Sequence, residues 1–569
     1  MEDQKLENLL NLALDATEEE REKSADLETG YNAAEKTWEL IVRYSGSLQE
    51  ILALGIRAEE LLGGYAILWV PQSLIPRVSS FPQIEYIEKP KRLFFAVNRA
   101  RAASCLTPLQ DGGLGLSGEG ILVAVLDSGI DYLHQDFRKE DGSTRIRYLW
   151  DQVLDQVYEE QEINEALKAS TRRDALELVP SVDVSGHGTA VAAIAAGNGR
   201  ESGGRYRGVA YQSDLLVVKL GAPEADGFPR TTQLMRALDF VLRKAVELQM
   251  PVAVNISFGN TYGSHDGTSL LETFMDGASS YGRSVIVVGT GNEGGSGGHA
   301  AGQLSMEGGG QTEEVLLSVA PFEPSLSIQL WKSFTDEFRV SLVGPSGEVL
   351  GPFSQTVGTQ RFRYGGTQIL VYYGEPSPYS QAQEIFMDFI PERDYIDSGI
   401  WRIRMEPVRL LTGQYDLWLP SHGLLNPSTR FLASAPDTTL TIPSTASKVI
   451  SVGAYNSAYQ SYADFSGRGY TRMTNQIKPD LAAPGTDIVT AAAGGGYDSV
   501  TGTSFAAPFV TGTAALLMEW GILRGNDPYL YGEKVKARLQ RGARQLPGFD
   551  TWPNPELGYG VLCGADSIR

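Results

Sequence analysis

Cysteine and histidine are scarce in this chain: its 569 residues include 2 of the first and 5 of the second. Cys105 and Cys563 cannot build a zinc site, and two cysteines imply no disulfide framework. Positive charge is scarce too. Against 69 acidic residues stand 48 basic ones, a net charge of -21, so no basic face is expected to track phosphates and no nucleic-acid partner is expected. The acidity suits a surface that resists association. No apolar run reaches the length of a membrane span, and no membrane partner is expected. Met1 to Lys5 shows neither the basic nor the apolar stretch of a secretory leader. These absences point to a protein kept in a reducing compartment, the cytoplasm, with leaderless export left open.

Hydrophobic residues nevertheless make up 42% of the chain, enough for a large core, and the length suggests more than one domain. Residues 1–36 read as an acidic extension, with Glu18-Glu19-Glu20. Within it Leu6, Leu9, Leu10, Leu12 and Leu14 suit a short, peripheral amphipathic helix. Residues 37–98 read as a small α/β domain. The spacing predicts strands over 37–44 and 65–70, a helix over 48–62, a short helix after Pro71 and an extended finish over 85–97.

From 99 to 296, apolar strands at 121–126, 215–220, 252–256 and 285–288 alternate with helices at 190–196, 232–249 and 270–281. Such alternation predicts an α/β fold with a doubly wound parallel sheet, whose functional residues collect at the carboxyl ends of strands. Residues 297–440 change character. Short runs at 315–319, 326–331, 338–342, 368–373, 400–405 and 415–419, parted by Gly, Pro and Ser, predict an inserted antiparallel β-sandwich or jelly roll. Loop-closure entropy grows slowly with length, so such an insertion is tolerated. Its expected role is to lock the fold rather than to recognise a ligand. The α/β fold resumes over 441–569.

Three short segments, far apart, carry complementary chemistry. Val123 to Ile130 is an apolar run leading into Asp127. Ser185 to Ala190 sets His187 between two glycines, and Gly502 to Pro508 places Ser504 at the head of an apolar helix. A serine hydroxyl is a poor nucleophile until a base takes its proton, and a carboxylate must orient that base. The order Asp, His, Ser differs from the chymotrypsin-like and α/β-hydrolase orders. A fourth segment, Gly291-Asn292-Glu293-Gly294, follows the run 285–288 and offers an amide donor.

On these segments the chain resembles the subtilisin-like serine proteases, over roughly residues 118–296 and 440–525. Ala190 stands where many relatives carry a second His, and Phe505 where Met is common. The resemblance implies that Ser504 attacks the scissile carbonyl, His187 moves the proton, Asp127 orients the imidazole and Asn292 donates to the oxyanion. It implies that Asn255 to Gly259, with Ser257, Phe258 and Gly259, pairs with substrate backbone as an added strand. It also implies a zymogen. Residues 37–98 would be an inhibitory propeptide, cut by the enzyme itself between Phe94 and Ser104, near Val97 and Asn98, and then held in the cleft.

A narrower resemblance rests on Ile84 to Pro90, Ile146 to Gln152 and Ser398 to Ile403, which are similar to stretches of the clostridial Csp germination proteases. That similarity implies limited proteolysis of another protein during germination, and a spore-associated location where the source forms spores.

No cofactor is expected, and no metal in the site. Asp136 matches a position that ligates calcium in some subtilases, but the companion loop Gly197–Arg207 lacks a clear carboxylate cluster. His134 and His299 read as ordinary residues, the latter at the surface, and Cys105 as a small buried side chain. Two functional readings compete: an autoprocessing endopeptidase acting on protein or peptide, and a propeptide-blocked scaffold that cuts itself at most once. An esterase is disfavoured because Ser504 lacks the Gly-x-Ser-x-Gly elbow.

Overall fold

A computed structural model describes residues 5–18, 21, 30–61, 64–90, 96–111, 113–220, 229–356 and 358–568. The chain divides into two compact units, Met1–Phe95 and Ala96–Arg569.

The first unit is built on an antiparallel sheet. Its strand Thr37–Tyr44 pairs with Tyr65–Pro71 on one side and Ile84–Glu88 on the other. Alternation along Thr37–Tyr44 turns Trp38, Leu40 and Val42 into the core. Two expectations fail here. The helix read over 48–62 stops after Gln49–Leu52, and Arg57–Leu61 is instead an edge strand on Tyr65–Pro71. Ladder hydrogen bonds outweigh the helical spacing of Leu48, Ile51 and Ile56. The amino-terminal stretch is not peripheral either: Leu6, just ahead of the helix Asn8–Asp15, and Leu10 and Ala13 within it are buried in the unit's core.

The second unit holds a nine-stranded sheet. Six of its parallel strands run Ile450–Asn456, Ser284–Gly289, Val252–Ile256, Leu122–Asp127, Asp214–Lys219 and Ile146–Asp151 in spatial order, and Leu481–Pro484 also pairs in parallel with Ile450–Asn456. Leu122–Asp127 is apolar up to its last residue because both faces are covered. Val123 and Val125 pack with the helices His187–Ala196 and Thr503–Met518. Leu122, Ala124 and Leu126 pack with Thr231–Glu247 and Leu270–Ala278. Helices on both faces make the sheet doubly wound. The run Thr503–Leu523 is long and apolar enough to cross a membrane by composition, yet it is mostly buried inside this unit, as a core helix is.

Between Ser284–Gly289 and Ile450–Asn456 the chain forms a six-stranded and a five-stranded antiparallel sheet. Leu330 and Phe389 from one and Trp401 and Ile403 from the other share one core, so the insertion is a two-sheet sandwich. The stretch expected to be extended as far as Val97 is instead helical over Ala96–Ala103; Phe94 and Phe95 lie outside the described residues. The cysteines also depart from expectation. Cys105 and Cys563 form a disulfide with Cα atoms 4.8 Å apart, closing a sequence separation of 458 residues that hides their proximity.

Candidate active site

Asp127 ends its strand at the carboxyl edge of the parallel sheet, fully buried. His187 opens the helix His187–Ala196, and its Nδ1 lies 2.7 Å from Asp127 Oδ1. The same oxygen accepts the Ser128 N–H at 2.8 Å. Glycine at 188 lets the helix come this close: a Cβ there would sit 2.2 Å from the Gly129 carbonyl oxygen. Burial disfavours the imidazolium, but the Asp127 carboxylate, its hydrogen bond and the Asp183 charge together hold the His187 pKa above its ordinary value.

Asp183 has no counterpart among the residues picked out from the sequence. It accepts from Ser128 Oγ (2.8 Å), Gly186 N–H (3.0 Å), Thr189 N–H (2.8 Å) and Thr189 Oγ1 (2.6 Å). It thereby ties the Asp127 loop to the His187 helix. The signal was a carboxylate four residues ahead of His187, at a helix start where backbone donors lack partners.

Ser504 lies in the first turn of Thr503–Met518, where the helix dipole favours developing negative charge. Its Oγ donates to the Ser257 carbonyl at 3.2 Å rather than to His187, and Ser257 Oγ donates to the Ser504 carbonyl at 3.0 Å. Phe505, the next residue, has its ring 5.2 Å from the imidazole, which puts serine and histidine in one corner.

Asn292 is oriented by Thr503. Its Oδ1 accepts from Thr503 N–H (3.1 Å) and Thr503 Oγ1 (3.2 Å), so its Nδ2 is left to donate. Gly502 beside it adopts φ 151°, a conformation that favours glycine, with room for a Cβ in ordinary contact, 3.5 Å from Asn292 Nδ2.

Asn292, Thr503 and Ser504 border a cavity of about 520 Å³. Ser257, Phe258 and Gly259, just beyond the strand Val252–Ile256, line it together with Asn292 and Ser504. Leu220, Leu234 and Leu271 add apolar surface. The insertion, expected chiefly to lock the fold, contributes Ser421 to Leu424 to the same wall.

The position considered for calcium does not fit one. Asp136 is buried, and its oxygens accept from Tyr497 Oη (3.0 and 2.9 Å) and the Glu201 N–H (3.0 Å). His134 Nε2 reaches Glu201 at 3.2 Å. Burial raises the Asp136 pKa, and its carboxylate is already held by Tyr497 and the Glu201 N–H. Among the described residues no group of three or more His, Cys, Asp or Glu is placed to hold a metal. His299 is not at the surface. It is buried, stacks on Trp418 at 4.7 Å and approaches Asp416 at 3.0 Å.

Residues 4–91 match the Csp protease B prodomain, and residues 118–346 and 431–560 match the subtilase family. The chain belongs to the subtilase family. The solved structure of the Clostridium perfringens CspB protease is similar to it, with 39% identity and a TM-score of 0.78, covering 82% of this chain and 96% of that one. The minor extracellular protease Vpr of Bacillus subtilis is 25% identical over 472 residues, 80% of this chain and 52% of its own. Serine protease AprX of Bacillus subtilis is 32% identical over 159 residues, 24% of this chain and 33% of its own. The chain thus spans about half or less of the length of these curated relatives.

Proposed function

We propose that this protein is an autoprocessing serine endopeptidase. Ser504 Oγ attacks a peptide carbonyl while His187 takes its proton, and the imidazolium then returns that proton to the leaving amine. Asp127 holds the tautomer that presents Nε2 to the serine and stabilises the imidazolium. Asn292 Nδ2 donates to the oxyanion. The observation that carries this reading is the 2.7 Å Asp127–His187 pair beside a helix headed by Ser504. A serine-directed fluorophosphonate should label Ser504 in the wild type and nothing in Ser504→Ala. Failure to label the wild type would contradict the reading.

The first substrate would be the chain itself. The prodomain match over residues 4–91 supports a cut that separates that part from the rest. A peptide must be extended to lie along Ser257–Gly259 as an added strand. Residues 97 and 98 fall in the first turn of Ala96–Ala103, whose amides have no intrahelical acceptor, so unwinding them costs little. The released part would stay in the cleft as an inhibitor. By its resemblance to the clostridial Csp germination proteases, the enzyme would go on to activate another protein by limited proteolysis, in the cytoplasm or, where the source forms spores, in the spore.

One observation favours the rival reading, a scaffold that cuts itself at most once: Ser504 Oγ is turned to the Ser257 carbonyl instead of to His187. Rotation of one side chain would restore the pair, and catalytic hydrogen bonds are often loose in an empty site. Repeated turnover of a peptide by cleaved protein separates the two.

A further inference from the structure

Glu293 follows Asn292 directly and is the only carboxylate among the described residues lining the cavity. It is 7% exposed. Left open, it would draw a lysine or arginine side chain into the cavity. It is not open. His422, from the short helix His422–Leu424 of the inserted sandwich, donates its backbone N–H at 3.3 Å to both carboxylate oxygens, and its Nδ1 lies 3.2 Å from Oε1. The rest of the described lining is mostly apolar or neutral, with Leu220, Phe258, Leu271 and Ile442 among it, and Arg230 the one fixed cation.

We propose that His422 is a specificity-determining residue: by occupying Glu293 it withdraws the cavity's carboxylate, so that the site takes peptides with a large uncharged side chain before the scissile bond and disfavours lysine and arginine there. The inserted sandwich then acts in recognition as well as in stability. A basic side chain could reach Glu293 only by displacing His422, leaving a half-exposed imidazole and a backbone N–H to find other partners. The Glu293 hydrogen bond holds the His422 pKa above its ordinary value, against the pull of burial, so the pair strengthens as the ring gains charge.

This rests on the proposed hydrolytic reading, and the test keeps the two apart. Two fluorogenic tetrapeptides, identical but for Leu or Lys before the cut bond, are compared on the cleaved wild type, His422→Ala, His422→Gln and the double variant His422→Ala/Glu293→Gln. The ratio of kcat/KM for Lys over Leu is expected to rise about tenfold in His422→Ala, less in His422→Gln, and to fall back in the double variant. An unchanged ratio with a lowered melting temperature would make the pair a staple only and overturn the proposal. Should the wild type turn over neither peptide, the hydrolytic reading fails by itself. Calorimetric titration with product peptides ending in Leu or Lys then decides the pocket: a gain in Lys affinity confined to His422→Ala supports it, and equal affinities across the variants overturn it.

Discussion

Trp418 of the inserted sandwich lies between two imidazoles: His265 stacks on it at 4.2 Å and 11°, His299 at 4.7 Å and 15°. His265 comes from the parallel-sheet part of the unit, so the stack joins the insertion to it. Arg472 extends the junction by pairing with Asp416 at 2.7 Å, and His299 meets the same carboxylate. Trp418→Ala removes a fully buried ring and should cost about 3–5 kcal/mol, read as a lower denaturation midpoint. Deleting 297–440 should cost more stability still and, by removing Ser421–Leu424, open the cavity wall.

Acid should loosen the same junction. Burial pulls the His265 pKa down to about 4, assisted by the neighbouring His299. In the unfolded chain histidine titrates near about 6.5. Between these values the unfolded state binds the extra proton, so stability falls as pH drops from about 6.5 to 4 and this loss ends below that. His265→Gln cannot titrate, and its unfolding free energy should decline less over that window. Equal slopes would remove His265 as the cause.

The His187 pKa is raised by its surroundings, and a general base works only when neutral. Peptide hydrolysis should therefore be lost as pH falls, with the acid limb of kcat/KM centred above about 6.5. Asp127→Asn removes the partner charge and should cut turnover by about 10⁴. A limb at or below 6.5 would contradict the geometry.

Asn292→Ala should lower kcat by about 10²–10³, as loss of one oxyanion donor does. Thr503→Val keeps the backbone N–H that Asn292 accepts but loses the hydroxyl, and should lower kcat less. A kcat unchanged in Asn292→Ala would take that residue out of the mechanism.

What could be read from the sequence was local. The run Val285–Val288 stood out because a strand covered on both faces is apolar throughout. Asp127, His187, Asn292 and Ser504 stood out because each sits in its own short motif. Their supports did not. Glu293 and His422 are 129 residues apart, and Cys105 and Cys563 are 458 apart; no local pattern records either meeting. The burial of Leu6, Leu10 and Ala13 was not legible, because acidic neighbours made the whole stretch read as a peripheral extension. The short strand Arg57–Leu61 was missed because it is mostly exposed, with only its Tyr65–Pro71 partner to hold it.

The central claim is that Ser504 cuts this chain. Intact-mass measurement of the full chain beside Ser504→Ala tests it most directly. The account predicts two species for the wild type, joined near Val97 and Asn98 in the sequence, and a single full-length species for the variant. One full-length species in both, or the same cut in both, would contradict it.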